Sequence, residues 1–264
     1  MAWWELWKPL TGLFNAIWAW LDKYSVIIFY TLGIPSFVLS YILGIMFILG
    51  IDIKLKPRPM LVKRKFKWDS RAIAVMGLSA ALMVVFFWGH AIPVIPGVMG
   101  VDVFLWIMYF APPVVFGVPG IWGLIPGNII GDLLVGWFGW GVIGYIANLA
   151  SGWLYWRTYG QDTSLRTKKS WANFLFAFFV GYVFWNNLHW CTTAVLAGAI
   201  PLQTFYALRL TFNIFWLVPW IWLYPLVTWA LEGLARKYGL HWTDFEYEWI
   251  PLWPKPKEGT TSST

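Results

Sequence analysis

Cysteine is almost absent from this chain: Cys191 stands alone among 264 residues. A single thiol excludes an internal disulfide and any metal site built from cysteines alone. Charge is scarce too. Acidic and basic residues together make up 12% of the sequence, too few to clothe a soluble domain. Histidine occurs only at His90, His189 and His241, which is too few for two b-type haems held by paired imidazoles. The CxxCH, GxxxxGK[ST], GxSxG and HExxH signatures are all missing. No apolar run carries a central Asp, Glu or Lys of the kind an ion pump uses. These absences point away from an autonomous enzyme, a bound metal, a cofactor and a pump. The start, MAWWELW, lacks the basic region and small-residue site of a cleavable leader, so none is expected.

What is present is apolar and aromatic. Hydrophobic residues make up 59% of the chain and aromatic ones 21%. That excess predicts an all-α polytopic protein of the cell membrane. The formal net charge is +7. Its Lys and Arg sit in short segments between apolar runs, where they set topology rather than bind nucleic acid.

The runs divide the chain. Residues 1–23 read as an amphipathic interfacial helix, with Trp3, Trp7, Leu10, Phe14, Ile17, Trp18 and Leu21 on one stripe. Such a helix is either a membrane-surface anchor or a docking face for a partner subunit. Residues 24–50 form an extra first span, with a kink expected at Pro35. Residues 51–71 form a loop carrying Lys54, Lys56, Arg58, Lys63, Arg64, Lys65, Lys67 and Arg71 against only Asp52 and Asp69. A short loop this basic is expected in the cytoplasm, extended around Pro57 and Pro59. Residues 72–236 hold six more spans, at 72–90, 101–116, 117–135, 137–156, 171–191 and 204–236. That makes about seven transmembrane helices. Pro112-Pro113 are expected to interrupt one of them, and the long last one is expected either to tilt or to break near Pro219 or Pro225. The loop 157–170 and the end of the last span are basic, so both fall inside with residues 51–71. Residues 237–264 then form a cytoplasmic tail.

This topology gathers polar groups at the outer ends of spans or a little deeper. Asn128, Asp132, Asn148, Asn186, Asn187, His189, Arg209 and Asn213 are the candidate ligand-binding residues. Polar groups within spans are costly and face a cavity or each other. Arg209, with Tyr206 and Trp216 nearby, either frames an anionic ligand or pairs with Asp132 or snorkels to the surface. His90, His189, Asp102 and Asp132 lack the spacing of a metal site.

The stretch 116–152 reads FGVPGIWGLIPGNIIGDLLVGWFGWGVIGYIANLASG. Glycine recurs at helical spacing along both arms. In lipid, small residues let helix backbones approach, so Gly127, Gly131, Gly136 and Gly144 are expected at close helix contacts.

Residues from about 71 to 236 resemble the substrate-binding membrane subunit (S component) of energy-coupling-factor vitamin transporters. The likeness runs through Arg71-Ala72-Ile73-Ala74, Ser79-Ala80-Ala81, Ile95-Pro96-Gly97-Val98 and Gly117-Val118-Pro119-Gly120-Ile121-Trp122-Gly123. It is closest over Gly127-Asn128-Ile129-Ile130-Gly131-Asp132-Leu133-Leu134-Val135-Gly136, and Asn148 with Gly152 completes it. The resemblance implies a six-helix core with both ends cytoplasmic. It implies that Ala72, Met76, Gly77 and Ala80 face a coupling subunit that works with ATPases. It implies that residues 92–100 close over a vitamin-like molecule. The extra span and the Trp-rich first helix lie outside it. The histidine that cobalt and nickel variants carry near the amino terminus is absent. A different class of role also fits the aromatic excess: a non-catalytic accessory subunit of a larger membrane complex, held by protein and lipid contacts.

Overall fold

Backbone in apolar surroundings must satisfy its own N–H and C=O groups, so apolar runs become helices. The computed structural model describes residues 8–54, 59–87, 93–95, 99–100, 105–136, 138–199 and 201–252 and is mostly helical. Among the described residues, two helices are long and apolar enough to cross a membrane: Thr11–Ile48 and Ser70–Phe87. The helices Ile107–Phe116 and Val118–Leu134 are apolar but shorter.

The first long helix is a rod. α1 (Lys8–Ile28) passes through a π-helical turn (Phe29–Gly33) into α2 (Ile34–Ile48). No break falls at residue 23, where the sequence suggested an interfacial helix giving way to a span. The π turn lies just before Pro35, which sits in the first turn of α2, where its missing N–H costs little. The rod lies along the last helix through α1 and against α6 and α8 through α2. At Gly44 any side chain would strike the Ile146 carbonyl of α6.

The most extensive helix pair is α3 (Ser70–Phe87) on α5 (Val118–Val135). Gly123, Gly127 and Gly131 recur every fourth residue on α5 and form its contact ridge. A Cβ at Gly123 would lie 2.5 Å from the Ser79 Cβ, and one at Gly127 2.8 Å from the Met83 Cβ. A Cβ at Gly131 would enter the Phe87 ring. α4 (Leu105–Phe116) packs against α3, α5, α6 and the last helix and is buried over Ile107–Phe116. It runs through Pro112 and Pro113, so the expected interruption does not occur. Only Gly117 separates α4 from α5, at φ +63, and there a side chain would meet Trp156, Trp242 and Tyr247. α6 (Phe138–Arg157) returns beside α5. α7 (Lys168–Phe176), a π-helical stretch (Ala177–Asn186) and α8 (Asn187–Leu196) form the next rod. α9 (Leu202–Lys237) continues unbroken through Pro219 and Pro225, so of the two alternatives the break does not occur.

The basic loop and the tail are not separate extended segments. β1 (Ile51–Lys54), β2 (Met60–Phe66) and β5 (Tyr247–Pro251) make one antiparallel sheet in the order β1-β2-β5. The alternation along β2 sorts its cations. Val62 and Arg64 turn inward, while Lys63 and Lys65 turn to solvent. A second pair, β3 (Pro93–Ile95) and β4 (Met99–Gly100), forms a short antiparallel ribbon within the stretch 92–100.

The core beside this cap is aromatic. Phe110 stacks on Tyr224 at 4.7 Å and tilts against Tyr155 at 4.7 Å. Tyr159, Phe174, Phe178 and Trp220 complete the cluster. Replacing Gly131 by Leu drives a side chain into Phe87. The expected outcome is loss of the monodisperse peak in size-exclusion chromatography, whereas Gly77→Leu, on an open face, leaves it in place.

Candidate functional site

Glycine and tyrosine position the polar groups of α5. Asn128 is wholly buried, accepts a hydrogen bond from the Tyr109 hydroxyl of α4 and donates to the Leu124 carbonyl at 2.6 Å. One turn on, Asp132 is 2% exposed and accepts from the Tyr145 hydroxyl of α6 at 2.7 Å. Gly141 makes room for that carboxylate, since a Cβ there would collide with Oδ2. The two groups therefore tie α5 to α4 and to α6.

Asn148 behaves differently. It is wholly buried on α6, and neither amide atom has a hydrogen-bond partner among the described residues. Thr192 and Thr193, on the α8 helix that packs against α6, also bury hydroxyls without partners among the described residues. His189, one turn before Thr193, is buried beside Trp190, with ring centroids 5.9 Å apart. The backbones of Asn186, Asn187, Arg209 and Asn213 lie on the π-helical stretch, α8 and α9, and their side chains fall outside the described residues. His90 and Asp102 fall outside them altogether. Among the described residues no three His, Cys, Asp or Glu side chains group as metal ligands.

The expected partner face on α3 splits in two. Ala72 and Ala80 are buried and Met76 is half-buried; the Met76 carbonyl and Ala80 border the Gly123 contact with α5. Gly77 is open, with Ala74 and Ala81 exposed on the same side. Gly127, Gly131 and Gly144 lie at close contacts, the last against Trp190. Gly136 is not one of them. It has φ +80 and nothing within 4 Å of its Cβ position among the described residues, because it closes α5 in the left-handed conformation.

Two polar clusters at the sheet end were not singled out by the sequence. In the first, Asp52 of β1 is fully buried. Its Oδ2 lies 3.3 Å from Arg64 Nη1, and its Oδ1 accepts from the Trp153 indole at 3.0 Å. Arg157 stands 3.7 Å from Oδ1. Arg64 also donates to the Phe47 carbonyl at 3.0 Å, closing the C-terminus of α2. Burial pushes the Arg64 guanidinium below its ordinary value, and Asp52 opposes that shift. The only available signal was two acids, Asp52 and Asp69, among many cations, with Arg64 in register with Val62 on alternate positions.

In the second cluster, the Glu232 carboxylate of α9 accepts from Arg236 Nε at 2.8 Å and from the Thr163 hydroxyl. The buried His241 imidazole approaches it, with Nε2 3.7 Å from Oε1, and places Nδ1 2.8 Å from the Thr243 hydroxyl. These groups line a polar cleft of about 220 Å³ with Gly160–Ser164. Burial lowers the His241 pKa and Arg236 lowers it further, against the pull of Glu232 and Asp244.

Compared with known protein families, curated proteins and solved structures, the chain matches none.

Asp52→Asn would leave Arg64 buried without its counter-charge. It should cost about 3–5 kcal/mol of stability. Lys65→Gln removes only the exposed pair with Glu248 at 3.4 Å and should cost about 0–1 kcal/mol. Unfolding midpoints in a mild detergent compare the two. His241 gives a pH signature of known sign. Its folded pKa is depressed, so the unfolded chain binds the proton more tightly. Its contribution is fully present above the unfolded value of about 6.5 and is lost as pH falls through the lower folded value. Melting temperature should therefore drop between pH 7.5 and 5, and His241→Gln should flatten that slope.

Proposed function

We propose that the chain is a multi-pass membrane protein of about seven spans and serves as the substrate-binding subunit of an energy-coupling-factor-like micronutrient importer. The membrane part of this reading is supported by apolar side chains that face outward. Leu13, Trp20, Ile27, Ile42 and Ile45 on the first rod are exposed, as are Leu133 and Leu134 on α5 and Trp222 and Leu226 on α9. Only 17% of the most apolar window of the first rod is buried, which suits a helix facing lipid or a partner helix.

Asn148 carries the ligand part. A buried amide without partners costs about 1–3 kcal/mol, and a bound molecule bearing polar groups would remove that cost. The core is also asymmetric in the way an importer from the outside requires. Aromatic rings fill it beside the basic sheet, and Asn128, Asp132 and Asn148 lie farther along the helices. The ribbon β3–β4 is placed in the chain where the resemblance expects the closing loop. The open Ala74, Gly77 and Ala81 stripe on α3 would let a coupling subunit's helix approach closely.

The accessory-subunit reading has its own observation. Asn128 and Asp132, two of the intended ligand groups, are bonded to Tyr109 and Tyr145 and act as ties between helices. Mass spectrometry of the purified protein separates the two. The importer reading expects a vitamin-like molecule, or an ATPase pair with its membrane partner, to copurify. It expects Asn148→Leu to weaken retention of that molecule by about three- to tenfold. No bound molecule, stable partners of another kind, and a more stable Asn148→Leu variant would overturn it in favour of the accessory role.

A further inference from the structure

We infer that the groove between α3 and α9 holds an acyl chain of an anionic phospholipid, with the headgroup phosphate at Arg71 and Lys237. This inference rests on the membrane reading above. The groove measures about 290 Å³, near the lower end for a small-ligand site, and its lining is wholly apolar. Leu78 and Leu82 of α3, Leu231 and Leu234 of α9, and Tyr238 and Leu240 beyond α9 form its walls. Leu78, Leu234 and Tyr238 are exposed, so the groove opens outward.

Charge selects the occupant. Leu82, Leu78 and Arg71 follow one another back along a single face of α3, at spacings of four and seven residues. The Arg71 guanidinium therefore stands at the sheet end of the groove. Its Nη1 lies 3.9 Å from the Cβ position of Gly239, the residue between the wall residues Tyr238 and Leu240. The Lys237 ammonium sits 5.5 Å from the Tyr238 ring centre. Two acids share this region. Asp69 takes Nε and Nη2 of Arg71 at 3.3 and 3.2 Å and makes no bond to Nη1. Glu232 is bound to Arg236. Lys237 has no ion pair among the described residues. One apolar slot with two cations at its mouth fits a lipid with an anionic head better than a zwitterionic lipid or an apolar helix.

The test uses the full chain and two lipids, phosphatidylglycerol and phosphatidylcholine. Native mass spectrometry should show phosphatidylglycerol retained over phosphatidylcholine by about fivefold for each cation engaged. Arg71→Gln with Lys237→Gln should bring the two lipids level. Leu78→Trp should fill the groove and reduce retention of both. If that variant does not fold, the double charge variant decides alone. Equal retention of the two lipids by the parent overturns the inference, as does an unchanged preference in the double variant. Inorganic phosphate that stabilises lipid-free protein as much as phosphatidylglycerol does also overturns it, because the groove would then be idle. Alkaline carbonate extraction of cell membranes keeps the two readings apart. Protein that stays in the membrane without lipid preference refutes the groove alone, whereas protein released by carbonate refutes the membrane reading and the groove with it.

Discussion

The approach of α5 to α3 is the contact on which the rest of the molecule depends. Three glycines, Gly123, Gly127 and Gly131, remove the side chains that would hold the two backbones apart. Apolar area cannot drive helix association where the surroundings are equally apolar, so close packing must do so. Once α3 and α5 meet, α4 is enclosed, and two prolines can lie within it because its neighbours fix its path. Asn128 and Asp132, one turn apart on α5, then meet Tyr109 of α4 and Tyr145 of α6.

Burial of polar groups follows from this packing, and the groups divide by how they are satisfied. Asn128 and Asp132 find tyrosine hydroxyls on adjacent helices. Asn148 finds no partner among the described residues although it is equally enclosed. In a low-dielectric interior that difference matters more than the mere presence of a polar residue, because an unmade hydrogen bond costs more than a made one gains. The functional reading therefore rests on Asn148 more than on its neighbours.

The sheet end obeys a different constraint. Helix termini leave carbonyls without partners, and basic segments meet them there. Arg64 serves the end of α2 and is itself held by Asp52. The strand that carries it pairs with the tail strand β5, so the loop after the first rod and the segment after the last helix close the same end of the bundle. Gly117, bare and left-handed, lets Tyr247 and Trp242 of the tail lie against the start of α5. Lys63 and Lys65 face solvent on that surface, Lys65 beside Glu248 of the tail strand.

The sequence alone was enough for helical structure in the apolar runs. Composition and local periodicity act within one segment, and the helices α5, α6 and α3 begin and end within a few residues of the runs that foretold them. The glycine spacing also marked Gly127 and Gly131 as contact points, because helical geometry puts every fourth residue on one face. Proline was misleading. Pro112 and Pro113 read as an interruption, and Pro219 or Pro225 as a break if the last span did not tilt, yet each lies inside a continuous helix. Only the tertiary structure decided which cation of the basic loop is buried, that the tail supplies the third strand, and that Glu232 meets His241. Those are pairings between residues on different elements, some of them far apart in the chain, such as Lys67 with Glu246, and no local pattern encodes such a partner. The same holds for Asn148: the sequence placed a polar residue in an apolar helix, and only packing left it without a partner.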